Sequence, residues 1–126
     1  MKILGVDYGA KRIGLAISDE TQTLARELAI LSPKQFWQGI GEMIGREGIE
    51  RIVVGLPLNM SGQQSDKTRE VQKFYDQLQQ SVTVPVEFMD ERLSSSMAES
   101  LPGGRENTDS LAAQIILQNY LDKIKT

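Results

Sequence analysis

The chain opens with two apolar runs separated by a polar turn. Ile3-Leu4-Gly5-Val6 leads into Asp7, Gly9-Ala10-Lys11-Arg12 interrupts, and Ile13-Gly14-Leu15-Ala16-Ile17 follows. Runs that are apolar at every position read as strands covered on both faces, so the pattern predicts strand 1 over residues 2–7 and strand 2 over 13–18. The stretch 23–31 keeps an apolar bias and predicts strand 3, and three strands with short links make an antiparallel meander. The period then changes. Ser32-Pro33 marks a helix start, because proline suits the first helical position. Phe36, Ile40, Met43 and Ile44 form that helix's apolar stripe, and Gly48 stops it.

Ile52-Val53-Val54-Gly55 is a β-branched run that predicts strand 4, followed by a loop over 56–62. A second helix over 64–80 carries Val71, Phe74, Tyr75 and Leu78 in register. Residues 84–89 predict strand 5, with Asp90-Glu91-Arg92 at its end. A short helix over 94–101, a glycine-containing break over 102–107, and a last helix from Thr108 to about Lys123 complete the chain. The order βββαβαβα, with one extra short helix before the last, predicts an α/β fold. A mixed sheet with helices on both faces would form one domain spanning 1–126.

Composition narrows the chemistry. At 126 residues, 40% hydrophobic and 25% charged, the chain can build a core without staples. It contains neither Cys nor His, which excludes disulfides, thiol nucleophiles, His general bases and zinc–thiolate sites. Catalysis must use carboxylates, Lys, Arg, Tyr or hydroxyls. Any metal should be a hard, oxygen-seeking cation such as Mg²⁺ or Mn²⁺. A net charge of −3 gives no global attraction for nucleic acid, so such a partner would need local basic groups. The chain starts directly in a strand, with no signal-like segment and no apolar stretch of membrane-spanning length, and reads as cytoplasmic.

Against that background the acidic positions stand out. Asp7 is a lone carboxylate at the end of a buried strand, where a charge is costly unless paired or metal-bound. Asp109 shares one helix face with Ala112, Ala113, Ile116 and Tyr120, at spacings of three, four, seven and eleven. That face is otherwise apolar, and its two alanines permit close packing on the sheet. Asp90-Glu91 ends strand 5. Each has a plainer reading: a structural Asp7 bonded to the turn amides, an Asp109 favoured by the helix dipole, and a solvated turn at 90–92. Together, carboxylates from distant segments would repel one another unless a divalent cation neutralised them. Two ions ~4 Å apart in such a cluster would serve phosphodiester cleavage.

Polar groups near the same places suit a phosphate-bearing substrate. Lys11 and Arg12 lie in the first turn, Asn59 follows strand 4, and Arg92 and Ser94 precede the short helix. Solvation, turn formation and capping are their simpler roles. Trp37 falls beside the first helix's apolar stripe and reads as packing rather than base stacking.

These motifs resemble the YqgF/RuvX family. Ile3–Gly9 with Arg12–Ala16 and Ser18-Asp19 looks like its opening, and Val53–Gly62 like its second motif. Asp90-Glu91-Arg92-Leu93-Ser94-Ser95 is similar to the third, where the family usually has Thr after the Leu. Asp109–Ala113 with Ile116-Leu117 and Tyr120-Leu121 resembles the fourth. The resemblance covers essentially the whole chain. It implies an RNase H-like fold, a five-stranded sheet in the order 3-2-1-4-5 with the first three strands antiparallel. It also implies a metal-dependent nuclease with Asp7, Glu91 and Asp109 as catalytic and metal-binding carboxylates, holding Mg²⁺ or Mn²⁺, two ions when substrate is bound. The family is described as Holliday junction resolvases and as nucleases that mature the 5′ end of pre-16S rRNA. The implied partners are therefore structured precursor rRNA or branched DNA, and ribosomal particles, with the chain a monomer or weak homodimer.

Two features depart from the family pattern. The segment 103–108 carries one positive and one negative charge where a basic run is usual. Asn59 occupies the place after strand 4 where related resolvases carry an acid. Glu91 ends strand 5, starting roughly 10 Å from strand 1 at ~4.8 Å per strand, so it must reach inward or engage an ion only with substrate bound. Those departures motivate an alternative, a non-catalytic nucleic-acid-binding factor in ribosome assembly or transcription. An actin-like phosphotransferase, which also opens with Gly-x-Asp-x-Gly, needs a second half for which the chain has no room.

Overall fold

The computed structural model describes residues 1–56, 66–90 and 108–124. Strands β1 (Lys2–Asp7), β2 (Ile13–Ser18) and β3 (Ala25–Leu31) come first, then helix α1 (Pro33–Glu47), strand β4 (Ile49–Leu56), helix α2 (Asp66–Ser81), strand β5 (Val86–Asp90) and helix α3 (Thr108–Ile124). The sheet order is β3-β2-β1-β4-β5. β1 pairs antiparallel with β2 and parallel with β4, β2 pairs antiparallel with β3, and β4 pairs parallel with β5. The expected mixed sheet and strand order are both present.

Element ends differ from the sequence reading where hydrogen bonding overrides hydropathy. Thr23 and Leu24 lie outside β3 because their backbone N–H groups donate to Asp19 Oδ1 at 2.8 and 3.2 Å, closing a turn. β4 begins three residues earlier than its apolar run, since Ile49 already pairs with Lys2. β5 begins after Pro85, which has no N–H for the ladder. The short helix expected over 94–101 and the loop beyond Leu56 lie outside the described residues. α1 starts as its sequence suggests. Ser32 Oγ accepts from the Gln35 N–H at 3.2 Å, Gln35 Oε1 accepts from the Ser32 N–H at 2.9 Å, and Gly48 ends the helix at φ 68°.

Alternation along the buried strands divides the core into two layers. Leu4, Val6, Leu15, Ile52 and Val54 face α1 and α2, where Phe36, Ile40, Val71, Phe74 and Leu78 cover them. Ile3, Ala16, Ala25 and Val53 face α3, against Ala113, Ile116, Leu117, Tyr120 and Leu121. Covering both faces is what allows Ile3–Val6 of β1 and Ile13–Ile17 of β2 to be apolar at every position.

Candidate active site

Asp7 is the last residue of β1, pairs across to Gly14, and is half-buried. β1 is also where the sheet changes direction of growth. The chain leaves it for β2 and β3 on one side, then crosses through α1 to β4 on the other. In open α/β sheets, ligands bind beyond the carboxyl ends of strands at such a switch point. Asp7 occupies that position.

The turn after Asp7 is tight. A Cβ on Gly9 would lie 2.6 Å from the Arg12 carbonyl oxygen, a contact with backbone that no rotamer change relieves. Only glycine fits, and the turn holds Lys11 and Arg12 exposed within five residues of Asp7.

α3 approaches this strand end through an unusually close contact. A Cβ on Gly5 would sit 2.7 Å from Leu117 Cβ and 3.1 Å from the Ala113 carbonyl oxygen. Glycine in a buried strand often marks such a backbone approach. The direction of the helix follows from its other contacts. Near the start of β1, Tyr120 accepts from Arg51, whose residue pairs with Ile3. Gln118 Oε1 accepts from the Ala25 N–H at 2.9 Å, and Ala25 pairs with Ser18 at the same end of the sheet. α3 therefore runs antiparallel to β1, crossing Gly5 at Ala113–Leu117 on the way.

Two residues of strand, about 6.6 Å, separate Gly5 from Asp7 on one face. Four residues of helix, about 6 Å, separate Ala113 from Asp109. The first turn of α3 and the last residue of β1 thus lie at the same end and on the same face of the sheet.

The remaining positions divide plainly. Glu91, Asn59, Arg92 and Ser94, like the Asp109 side chain, lie outside what the structure describes. Among the described residues no group of three or more acidic, His or Cys side chains gathers. The first turn of α3 lies at the Asp7 end of the sheet, and Lys11 and Arg12 are exposed in the turn that follows Asp7. The chemistry of this end fits a hard cation, since carboxylate oxygen is available and neither His nor Cys exists to favour a softer metal. Hydropathy patterning does not single out Gly5, which sets the approach; its signal in the sequence is a glycine amid β-branched and leucine residues.

The opposite end of the same helix is organised differently. Tyr120 Oη donates to Glu87 Oε2 at 2.6 Å, Arg51 donates to Tyr120 Oη, and Arg51 pairs with Glu87 at 3.2 Å. Burial and the bond to Glu87 push the Tyr120 phenol above its usual range. Charges here close on one another and fix α3 across β4 and β5.

The sequence model of the RuvX family, described as Holliday junction resolvase, matches residues 1–123. The chain belongs to this family. A relative from Caldanaerobacter subterraneus subsp. tengcongensis, named as a candidate pre-16S rRNA nuclease, is 39% identical, with 99% of each chain covered. One from Syntrophomonas wolfei subsp. wolfei, named likewise, is 41% identical over 97% of this chain and 94% of its own. Among solved structures, RuvC of T. thermophilus in complex with a Holliday junction substrate superposes with a TM-score of 0.66 at 15% identity. That match covers 99% of this chain and 96% of RuvC, and it shows the RNase H-like fold. The enzyme class implied by the sequence, a nuclease acting on phosphodiester bonds, is the class of the RuvX family. No helix among the described residues is long and apolar enough to cross a membrane.

Proposed function

We propose that this chain is a divalent-metal-dependent nuclease acting on structured nucleic acid, with 5′-end maturation of pre-16S rRNA as its task. The observation that carries this reading is the seating of α3 on Gly5, which brings the helix's first turn to the strand end that bears Asp7. Asp7 and Asp109 would hold Mg²⁺ or Mn²⁺, and Glu91 would complete the set, two ions being held when substrate is bound. When bound, the cation supplies Lewis acidity and a more acidic water. Lys11, Arg12 and Arg92 would neutralise phosphates, Ser94 would donate to a phosphate oxygen, and Asn59 would orient the attacking water. Hydrolysis breaks one P–O ester bond, leaving a phosphate monoester on one product and a hydroxyl on the other.

The family's description and the fold shared with a junction-bound RuvC favour a second reading, Holliday junction resolution. One experiment separates the readings. Wild-type protein and Asp7→Asn are incubated with precursor rRNA and with a four-way junction, each with Mg²⁺, Mn²⁺ or chelator. Cation-dependent trimming of the RNA is expected, reduced at least about a hundredfold in Asp7→Asn, because the Lewis-acid contribution is worth several kcal/mol. The variant should keep its melting temperature. Cutting of the junction alone would establish the second reading. Binding without turnover, unchanged by chelator, would leave a non-catalytic assembly or transcription factor.

A further inference from the structure

Tyr8 follows Asp7 and, by strand alternation, faces the other side of the sheet. Its ring lies 4.6 Å from that of Phe74 in α2, tilted by 30°, and the Trp37 ring of α1 lies 5.4 Å from Phe74. These three rings line a cleft of about 170 Å³ between α1 and α2, with Pro33, Glu70, Lys73 and Gln77 completing its lining. Phe74 is buried, Tyr8 and Trp37 are half-buried, and the three polar residues are exposed. Core packing accounts for Phe74. Tyr8 and Trp37 pack against the same core yet keep part of their surface open, beside the Lys73 ammonium, the Glu70 carboxylate and the Gln77 amide.

The combination matches a flat ligand with π faces, polar edges and an attached phosphate. Aromatic walls stack on any base, Gln77 and Glu70 can meet donors and acceptors at a base edge, and Lys73 can meet the backbone. The volume is below the roughly 300 Å³ at which pockets for drug-sized ligands begin, so one heterocycle fits rather than a whole nucleotide. A base inside a duplex has its faces covered and cannot enter. An unpaired one can, and unpaired bases are those that proteins read by stacking on aromatic side chains.

We propose that this cleft takes one unpaired nucleobase of the strand whose backbone passes Asp7. The proposal rests on the nuclease reading for its ligand, and it makes Tyr8 the hinge between cutting and holding. The strand would lie across the carboxyl end of β1, with its phosphodiester on the α3 side and a neighbouring base turned to the α1–α2 side. Trp37 then stacks as well as packs.

Trp37 is the single tryptophan of the chain, so its fluorescence reports on the cleft directly. The full chain, in chelator to prevent turnover, is titrated with four probes. They are a single-stranded oligoribonucleotide, the same sequence as deoxyribonucleotide, an abasic strand of equal length, and a blunt duplex. Saturable quenching by the single strands is expected, the tighter sugar identifying the natural strand, with none from the abasic strand or the duplex. Tyr8→Ala should weaken single-strand affinity roughly tenfold to a hundredfold, the equivalent of one lost base stack. Should Tyr8→Ala fail to fold, Lys73→Ala, on the exposed face of α2, should still lower affinity and reduce the salt slope by about one. Equal quenching by the abasic strand, no quenching, or wild-type affinity in the folded variants would overturn the cleft. The two readings fail separately. Cation-dependent cleavage without quenching rejects the cleft and keeps the nuclease; quenching without cleavage keeps the cleft and rejects the nuclease.

Discussion

The two faces of this sheet are packed differently. On the α3 side small residues, Gly5, Ala16, Ala25 and Ala113, are set among Ile3, Val53, Ile116, Leu117, Tyr120 and Leu121, and at Gly5 the one helix lies nearly against the strand backbone. On the α1–α2 side the contacts are made by large ones, with Phe36, Phe74, Trp37 and Tyr8 forming a continuous aromatic cluster. Small residues allow a helix only one depth and one register, which suits a face that must bring the first turn of α3 to Asp7. Large rings fill volume but leave gaps where three elements meet, which suits a face that presents a cleft. On the two proposals, positioning and holding thus fall to opposite sides of β1.

That division predicts that damage on the two faces will differ in kind. Phe36 is fully buried, so Phe36→Ala should cost about 3–5 kcal/mol, the largest loss of stability among these changes. Urea unfolding measures it, and the cleavage rate of the fraction still folded should remain near wild type. Gly5→Ala should be milder for stability and worse for activity. The added methyl meets Leu117 at its Cβ and Ala113 at its carbonyl, neither of which can swing away, so α3 must lift from β1. Overpacking of this kind costs about 1–3 kcal/mol. The same lift moves the first turn of α3 relative to Asp7, and a displacement near 1 Å can reduce a reaction about a hundredfold. A Gly5→Ala protein with full activity at its folded fraction would show that the close approach serves packing alone.

How much of this was legible beforehand depends on how local each feature is. Asp7 could be read because a carboxylate ends an otherwise apolar strand, and the strand order followed from motifs that cover the chain. The face of α3 was also readable, since Ala113, Ile116 and Tyr120 are buried at the spacing its sequence prescribes. Gly5 was not, because its meaning lies in a helix that arrives far downstream. The cleft was illegible for the same reason: Tyr8, Trp37 and Phe74 come from three elements, and only folding makes them neighbours. β3 starts later than hydropathy predicts because Asp19 captures the N–H groups of Thr23 and Leu24, a side-chain bond that hydropathy does not register.

The smallest expected effect tests the far end of α3, where the helix is held rather than used. Tyr120 donates to Glu87 and accepts from Arg51, so Tyr120→Phe should cost about 0.5–1.5 kcal/mol near neutral pH, the net worth of a typical hydrogen bond. The pH dependence carries more information. Burial first, then the bond to Glu87, raises the phenol's pKa in the folded chain above its ordinary value near 10. A group whose folded pKa is raised binds its proton more tightly when folded. Its contribution is therefore complete below the unfolded value and is lost as pH climbs through the folded one. Wild type should lose stability above about pH 10 more steeply than Tyr120→Phe, and the difference between their urea midpoints should shrink there. Arg51 keeps its charge throughout, so it does not confuse the comparison. A difference that stays constant from pH 8 to 11 would mean that the phenol does not couple to folding. In that case Arg51 and Glu87 would only tie β4 to β5, and this end of the helix would be held by its packing rather than by the Tyr120 hydroxyl.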